Sequence, residues 1–86
     1  MNIVAHRRFD KMFAKLPAAT RNKAVLRLQL FAQDPLSPAL RNHALHTPYK
    51  GCYSIDITGD VRAIYYLIDD TTALFTHIGT HSQLYR

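Results

Sequence analysis

The stretch that decides the fold reads CYSIDITGDVRAIYYLI, residues 52–68. In its first part, residues 52–57, apolar and polar side chains alternate, which is typical of a strand with one buried face. The apolar set is Tyr53, Ile55 and Ile57, and the opposite set is Cys52, Ser54 and Asp56. The centre, residues 58–60, has the composition of a tight turn in which Gly59 is expected to take a positive φ. Residues 61–68 then return as the second strand of an antiparallel hairpin.

Two amphipathic helices are predicted upstream of this hairpin. The first begins near Arg7 and ends before Pro17, because proline cannot continue a helix. Its apolar stripe consists of Phe9, Met12, Phe13 and Leu16. The second covers residues 18–33, with a predicted core stripe of Ala24, Val25, Leu28, Phe31 and Ala32. Leu26 and Leu30 lie off that stripe, where they either widen the core face or form a docking strip for a partner.

The remaining segments complete an α+β fold. Residues 2–5 favour a short strand, and residues 34–51, which hold three of the four prolines, predict a loop with one helical turn near 38–41. Residues 72–78 form a third strand after a turn. We therefore predict one domain, residues 1–86, with a short N-terminal strand, two helices and an antiparallel β-meander whose sheet is covered by the helices on one face.

Length and composition exclude several classes of protein. A chain of 86 residues buries only about 60–65% of its unfolded surface, and so thin a core is compatible with an obligatory partner. No uncharged stretch of about 18 residues is present, and the N-terminus lacks the basic-then-apolar order of a signal peptide. Cys52 is the only cysteine, which agrees with a reducing compartment. We expect a cytoplasmic protein without a membrane span.

Charge is distributed unevenly along the chain. Residues 1–50 carry a net charge of +7, whereas residues 51–86, Arg86 included, carry −2, and there is no glutamate. A basic half of this kind is found in proteins that bind nucleic acid or an acidic partner. It is equally typical of solvated helical faces, so charge alone leaves both interpretations open.

The polar face of the hairpin contains candidates for chemistry. Pairing around the turn places Asp56 opposite Arg62, with Ser54 on the same face and Asp60 in the turn. The pair is either a surface ion pair contributing less than about 1 kcal/mol or part of an anion site, because arginine binds phosphate through two parallel hydrogen bonds.

Histidines supply further candidates. His43 and His46 precede the hairpin, and His77 and His81 bracket the end of the last strand. Their spacing alone does not predict zinc, because neither pair lies on a predicted helix and no Cys or Glu completes a site. His6 and His77 are interpreted as structural, and we expect no metal and no cofactor.

A set of His, Asp, Arg and Tyr without a metal motif suits the cleavage of RNA through its own 2′-OH. That reaction needs a base for the hydroxyl proton, a cation for the charge on the phosphorane and an acid for the leaving 5′-oxygen. Histidine serves as acid or base near pH 7, and a tyrosine ring can stack on an unpaired base.

These residues also carry a family resemblance. The runs LRNHALHTPYKG (40–51), YKGCYSIDITGDVRAIYYL (49–67) and IGTHSQLY (78–85) resemble the RelE/ParE superfamily of bacterial type II toxins, and within it the YafQ-like ribosome-dependent mRNA interferases. The resemblance implies a toxin that enters the ribosomal 30S A site, cuts the mRNA there and is silenced by a cognate antitoxin. A heterotetramer or a larger complex with that antitoxin is the implied assembly.

The resemblance assigns site residues one by one. His43 matches the loop histidine, Asp60 the acidic residue of the turn, and His81 the C-terminal histidine of YafQ-like enzymes. Tyr85 matches a C-terminal aromatic, and Arg62 matches the strand arginine with which RelE-like members hold the scissile phosphate. His81 is the leading acid or base in this hypothesis.

Other positions depart from the family or support the site. Asp56 stands where RelE has a lysine and YafQ-like members a second histidine, so it is either a base or a group that orients Arg62 or His81. Lys50, Arg41 and Ser54 are expected to contact RNA, and Leu26 and Leu30 the antitoxin. The alternative is a gyrase poison of the ParE branch, which shares the fold and typically lacks the His/Arg/Tyr set.

Overall fold

The predicted hairpin forms and lies inside a five-stranded sheet. The computed structural model describes residues 1–85, so Arg86 lies outside the described residues. In chain order the elements are β1 (Asn2–Ala5), α1 (Arg7–Ala14), α2 (Ala18–Gln33), β2 (His43–Ala44), β3 (Tyr53–Asp56), β4 (Val61–Asp69), β5 (Thr72–Thr80) and α3 (His81–Leu84). A single turn of 3-10 helix, Pro38–Leu40, lies between α2 and β2.

The strand order across the sheet is β1-β5-β4-β3-β2. β1 runs parallel to β5, and the other neighbours are antiparallel. The predicted α+β class, N-terminal strand, two helices and meander are therefore confirmed. Two short elements were not predicted: β2, which forms the far edge beside β3, and α3 after β5.

One face of the sheet carries the main core. Ile55, Ala63 and Ile78 lie side by side on β3, β4 and β5, and each is fully buried or nearly so. Both helices cover this face with their apolar stripes, since Phe9 of α1 and Phe31 of α2 belong to the same buried cluster. The alternation read from the sequence thus divides the sheet into a core face and an opposite face.

The centre of the core is aromatic. The Phe31 ring lies 4.9 Å from Tyr65 and 5.2 Å from Phe75, both in edge-on geometry, which is a favourable arrangement for aromatic pairs. Burial raises the pKa of Tyr65, and its hydroxyl donates to Oδ1 of Asn42 at 3.0 Å. Asn42 Nδ2 in turn donates to the carbonyl of Pro35 at 2.9 Å, so the loop after α2 is fastened to the core.

The predicted stripe on α2 is partly wrong. Val25 was expected in the core but is 43% exposed, because it lies about 100° around the helix from the fully buried Ala24. Of the two alternatives left open for Leu26 and Leu30, a wider core face fits Leu30, which is partly buried and packs against the core. A contact of Leu30 with an antitoxin stays a prediction. The exposed apolar surface of α2 therefore consists of Val25 and Leu26, of which Leu26 is 64% exposed.

The hairpin turn is stabilised by side chains, and the positive φ predicted for Gly59 is wrong. Among residues 1–85, the glycine with positive φ is Gly51, at 88°. In the turn, Thr58 Oγ1 accepts from the backbone N–H groups of Asp60 (3.3 Å) and Val61 (3.0 Å). A hydroxyl that satisfies two turn amides makes the left-handed conformation unnecessary.

The last strand leads directly into α3. Thr80 caps this helix by accepting from the Gln83 N–H at 3.2 Å, while Gln83 Oε1 accepts from the Thr80 N–H at 2.8 Å. This reciprocal pair is a capping box. A Cβ at Gly79 would approach Gln83 Oε1 to 2.7 Å, so glycine at that position leaves room for the cap. The cap fixes the place of His81, the first residue of α3.

None of the helices within residues 1–85 combines the length and the apolar character that crossing a membrane requires. The longest, α2, has 16 residues. This finding agrees with the absence of a long uncharged stretch from the sequence.

Replacing Phe31 by alanine should strongly destabilise the fold. The side chain is fully buried between two aromatic rings, and removing a buried phenylalanine costs about 3–5 kcal/mol. Urea unfolding would measure the loss. Leu26→Ala on the exposed side of the same helix should stay within about 0.5 kcal/mol of the parent chain. Equal effects of the two substitutions would contradict the packing described here.

Candidate active site

The face of the sheet opposite the core carries two rows of polar side chains. Strand register places Asp56, Arg62 and Gly79 side by side on β3, β4 and β5. The neighbouring row runs across His43, Ser54, Ile64 and His77. With strands about 4.8 Å apart, the second row is about 14 Å wide. Chemistry-bearing residues from four strands therefore share one face.

Asp56 is the centre of an ion cluster. Its Oδ1 lies 2.9 Å from Nε of Arg62, the partner predicted from hairpin pairing, and its Oδ2 lies 3.7 Å from Nε of Arg41. Asp56 and Arg62 are largely shielded, whereas Arg41 is 78% exposed. The expected role of Asp56 in orienting Arg62 thus has a direct geometric basis.

The Arg62 guanidinium also closes the hairpin turn. Nη1 donates to the carbonyls of Thr58 (2.8 Å) and Val61 (3.2 Å), and Nη2 donates to the carbonyl of Gly59 (3.1 Å). A guanidinium has five N–H groups, so one Nη2 proton remains for another acceptor. The binding of a phosphate by Arg62 stays a prediction. It would use the remaining Nη2 proton, or the phosphate would replace one of the turn carbonyls as hydrogen-bond acceptor.

His43 is exposed at the end of the second row, on β2. Its Nδ1 lies 2.8 Å from the carbonyl oxygen of Arg41. A carbonyl can only accept, so Nδ1 carries a proton and Nε2 of the neutral ring is the atom free to accept one. Arg41 makes this contact from a left-handed backbone conformation with φ of 48°. This contact thus leaves Nε2 of a neutral His43 ring free to accept a proton.

Aromatic rings surround the start of α3. The His81 ring stacks on Tyr85 with centroids 4.7 Å apart, and Tyr85 meets Tyr49 edge-on at 5.3 Å. Tyr49 also meets His77 edge-on at 5.2 Å, and its hydroxyl donates to the Leu84 carbonyl at 2.6 Å. The loop before β3 is therefore tied to the helix that carries His81.

His77 was interpreted as structural, but it stands at the edge of this aromatic group. Its Nδ1 lies 2.9 Å from Thr76 Oγ1, and the ring is only partly buried. Burial, followed by the positive charges of Arg8 and His6, lowers the pKa of His77 below its usual value. The ring is thus favoured in its neutral form beside the polar row of β5.

Other predicted residues stand apart from these clusters. Ser54 is only 3% exposed and lies between His43 and Ile64 in the sheet, so its expected contact with RNA stays a prediction. Asp60 and Lys50 are exposed, and within residues 1–85 their side chains form no hydrogen bond or ion pair. In the described part of the chain, no group of three or more His, Cys, Asp or Glu is placed to hold a metal ion.

Sequence reasoning missed two members of the site. Tyr49 belongs to the aromatic-Lys-Gly run but received no role, although it contacts His77 and Tyr85. Arg8 was counted only as charge, although its Nε reaches the Thr76 carbonyl at 3.1 Å. Both contacts join residues far apart in the chain, so no local spacing could have indicated them.

Solved structures define the class of protein. The chain is similar to YafQ from E. coli strain BL21(DE3), with 25% identity, 99% of this chain and 98% of that chain covered, and a TM-score of 0.80. It is also similar to a chain of the E. coli DinJ-YafQ toxin-antitoxin complex, at 25% identity, 99% and 97% coverage and a TM-score of 0.77. A YoeB/ParE toxin from Agrobacterium tumefaciens shares the fold at 15% identity, 94% and 99% coverage and a TM-score of 0.76. The fold is therefore that of the RelE/ParE class of toxins.

The sequence identifies the family within this class. The model of the family described as bacterial toxin of type II toxin-antitoxin system, YafQ, matches residues 1–86. The chain belongs to this YafQ toxin family, as its hairpin and C-terminal motifs indicated. A comparison with curated proteins finds no match.

Tyr49→Phe should loosen α3 without unfolding the domain. The substitution removes the 2.6 Å hydrogen bond to the Leu84 carbonyl, which contributes about 1 kcal/mol. We expect faster hydrogen exchange at the amides of Gln83 and Tyr85, measured by NMR. Tyr66→Phe is the matched control, since Tyr66 is 40% exposed and its hydroxyl has no hydrogen bond within residues 1–85. Unchanged exchange in α3 would show that Tyr49 does not hold it.

Proposed function

We propose that this toxin is a metal-independent endoribonuclease that cleaves mRNA in the ribosomal A site and so arrests translation in the cytoplasm. The observation that carries the proposal is the register that aligns His43, Asp56, Arg62 and His77 on one face of the sheet, with His81 directly after β5. Membership of the YafQ family and the likeness to the E. coli toxin support it.

The proposed reaction uses the ribose of the substrate as nucleophile. A base takes the 2′-OH proton, the 2′-oxygen attacks the adjacent phosphorus, and the bond from phosphorus to the 5′-oxygen breaks. An acid protonates that oxygen as it leaves, which yields a 2′,3′-cyclic phosphate and a 5′-hydroxyl. His43, with Nε2 free to accept a proton, and His81 are exposed imidazoles on or next to the polar face and would perform these steps.

The other groups bind and position the RNA. Tyr85, already stacked on His81, is suited to stacking an unpaired base. Arg62 contributes positive charge beside Asp56, and Asp60 assists from the turn. Arg41 is an exposed cation beside Asp56, and Lys50 is exposed in the loop before β3; both would contact the backbone of the RNA.

His81→Gln should abolish cleavage while leaving the fold intact. A positioned acid or base contributes about 10²- to 10⁴-fold to the rate, so we expect a loss within that range on programmed ribosomes. Primer extension would map the cut to the A-site codon, and chemical analysis would identify the cyclic phosphate end. His46→Gln is the matched control, because His46 is an exposed loop histidine without a side-chain bond within residues 1–85.

The same assay separates the competing functions. Cleavage at an undiminished rate by the His81→Gln chain would refute the role of His81. No cleavage by the parent chain, together with gyrase-dependent DNA breaks, would instead identify a toxin that acts as ParE does. If neither activity is detected, the remaining interpretation is a non-catalytic binding module.

An acidic, partly apolar antitoxin is the proposed partner. The similar E. coli toxin is found in a complex with DinJ, and α2 of this chain exposes Val25 and Leu26 between the basic Lys23 and Arg27. Apolar side chains flanked by positive charge fit a helix or strand with apolar and acidic residues. Of the two leucines predicted to contact the antitoxin, Leu26 and Leu30, Leu26 is the exposed one, whereas Leu30 packs against the core.

Leu26→Asp should weaken antitoxin binding at least about tenfold, because it places a charge on an apolar contact. The partner to use is the product of the adjacent reading frame, with affinity measured by calorimetry and the assembly, heterotetramer or larger, by light scattering. Leu36→Asp, on a residue that is 79% exposed outside α2, is the control. Hydrogen exchange in α2 that does not change upon complex formation would contradict this docking site.

A further inference from the structure

Arg8 connects the first helix to the candidate site. It is the second residue of α1, yet its Nε donates to the carbonyl of Thr76 on β5 at 3.1 Å. Thr76 directly precedes His77, the β5 residue of the second polar row. One hydrogen bond thus holds the guanidinium of an exposed arginine at the edge of the active-site face.

The charge of Arg8 is felt by two rings of the site. It lowers the pKa of His77, after burial, and it opposes the burial that raises the pKa of Tyr49. Those two rings are 5.2 Å apart, and Tyr49 continues through Tyr85 to His81 at centroid distances of 5.3 and 4.7 Å. The guanidinium therefore stands at one end of a continuous group of rings that ends at His81.

We propose that Arg8 binds a phosphate of the RNA at the His77 end of this group of rings, a proposal that rests on the nuclease function above. Anchoring through Nε leaves the four N–H groups of Nη1 and Nη2 to bind an acceptor, whereas Arg62 retains one. Within residues 1–85 no carboxylate lies within ion-pair distance of Arg8. A planar fork held by one nitrogen is well suited to phosphate.

The surroundings of Arg8 favour RNA over an acidic protein. Single-stranded RNA is bound by positive charge along its backbone together with aromatic rings that stack its bases. Here the group of rings that begins with His77 continues through Tyr49 to Tyr85. On the other side of Arg8, an open groove of about 590 Å³ continues the positive charge along the start of α1. The groove is lined by His6, Arg7, Arg8 and Lys11.

The test measures binding separately from cleavage. The probe is a fluorescent single-stranded RNA with 2′-O-methyl groups, which blocks the nucleophile, and its affinity is measured by anisotropy at several salt concentrations. Arg8→Gln should weaken binding about tenfold or more and reduce the salt slope by about 0.7, the value for one lost phosphate contact on a single strand. Arg8→Lys should restore part of the affinity.

Arg7→Gln is the matched comparison: it removes the same charge from the same turn of α1 and from the same groove but leaves the bond to β5, so it should weaken binding less than Arg8→Gln does. Equal losses in the Arg7 and Arg8 variants, or no RNA binding by the parent chain, would overturn the proposal. Loss of binding to an acidic peptide with RNA binding intact would assign the site to a protein partner and would also overturn it.

A second readout does not depend on RNA cleavage. NMR titration of His77 should show a higher pKa in the Arg8→Gln chain than in the parent, because a neighbouring positive charge has been removed. An unchanged His77 titration would refute the placement of Arg8. If the parent chain binds the methylated RNA through Arg8 but cuts no mRNA on ribosomes, the nuclease function fails and the phosphate site stands.

Discussion

The pairing of β3 with β4 through Asp56 and Arg62 is the constraint on which the rest of the structure depends. Side chains alternate between faces along a strand, so a slip of one residue would exchange the core row with the polar row. The 2.9 Å contact joins the two strands on the polar face, while the same guanidinium closes the turn that connects them. One arginine therefore supports both the register, which the buried apolar row also specifies, and the turn.

This constraint explains how so short a chain maintains a core and an open site. The core face holds Ile55, Ala63 and Ile78 under the helices, and the opposite face is left for polar side chains from four strands. Only a small apolar group covers part of that second face: Ile64 and Leu84 are buried but lie outside the main cluster. Tyr49 and His77 lie at the edge of this face, so the contacts that anchor α3 also border the candidate site.

The sequence predicted the parts of this arrangement that depend on local pattern. The bounds of α2, the hairpin and the opposition of Asp56 and Arg62 follow from periodicity and pairing, and all are confirmed. The burial predicted for Val25 was wrong, because the spacing of apolar residues does not show how wide the buried face of a helix will be. The positive φ predicted for Gly59 was wrong, because the Thr58 hydroxyl accepts hydrogen bonds from two turn amides and so stabilises the turn without it.

Other features lay beyond any local pattern. Strand β2 has two residues and owes its existence to an edge of β3 that only the folded sheet offers. The bond from Arg8 to Thr76 spans 68 positions, and the contact of Tyr49 with Leu84 spans 35. Such contacts come from topology, which places the start of α1 and the loop before β3 against the end of β5.

The parallel pairing of β1 with β5 imposes an order on folding. Asn2 lies beside Thr72, so the first strand of the chain has no partner until nearly all of the chain has been made. Contacts between such distant residues are slow to form, because the intervening chain must be ordered first. His81 follows directly after β5, and Arg8 contacts that strand from α1, the element that follows β1. The polar face that carries the candidate site is therefore completed late in folding, and a chain in which β1 and β5 have not paired lacks part of that site.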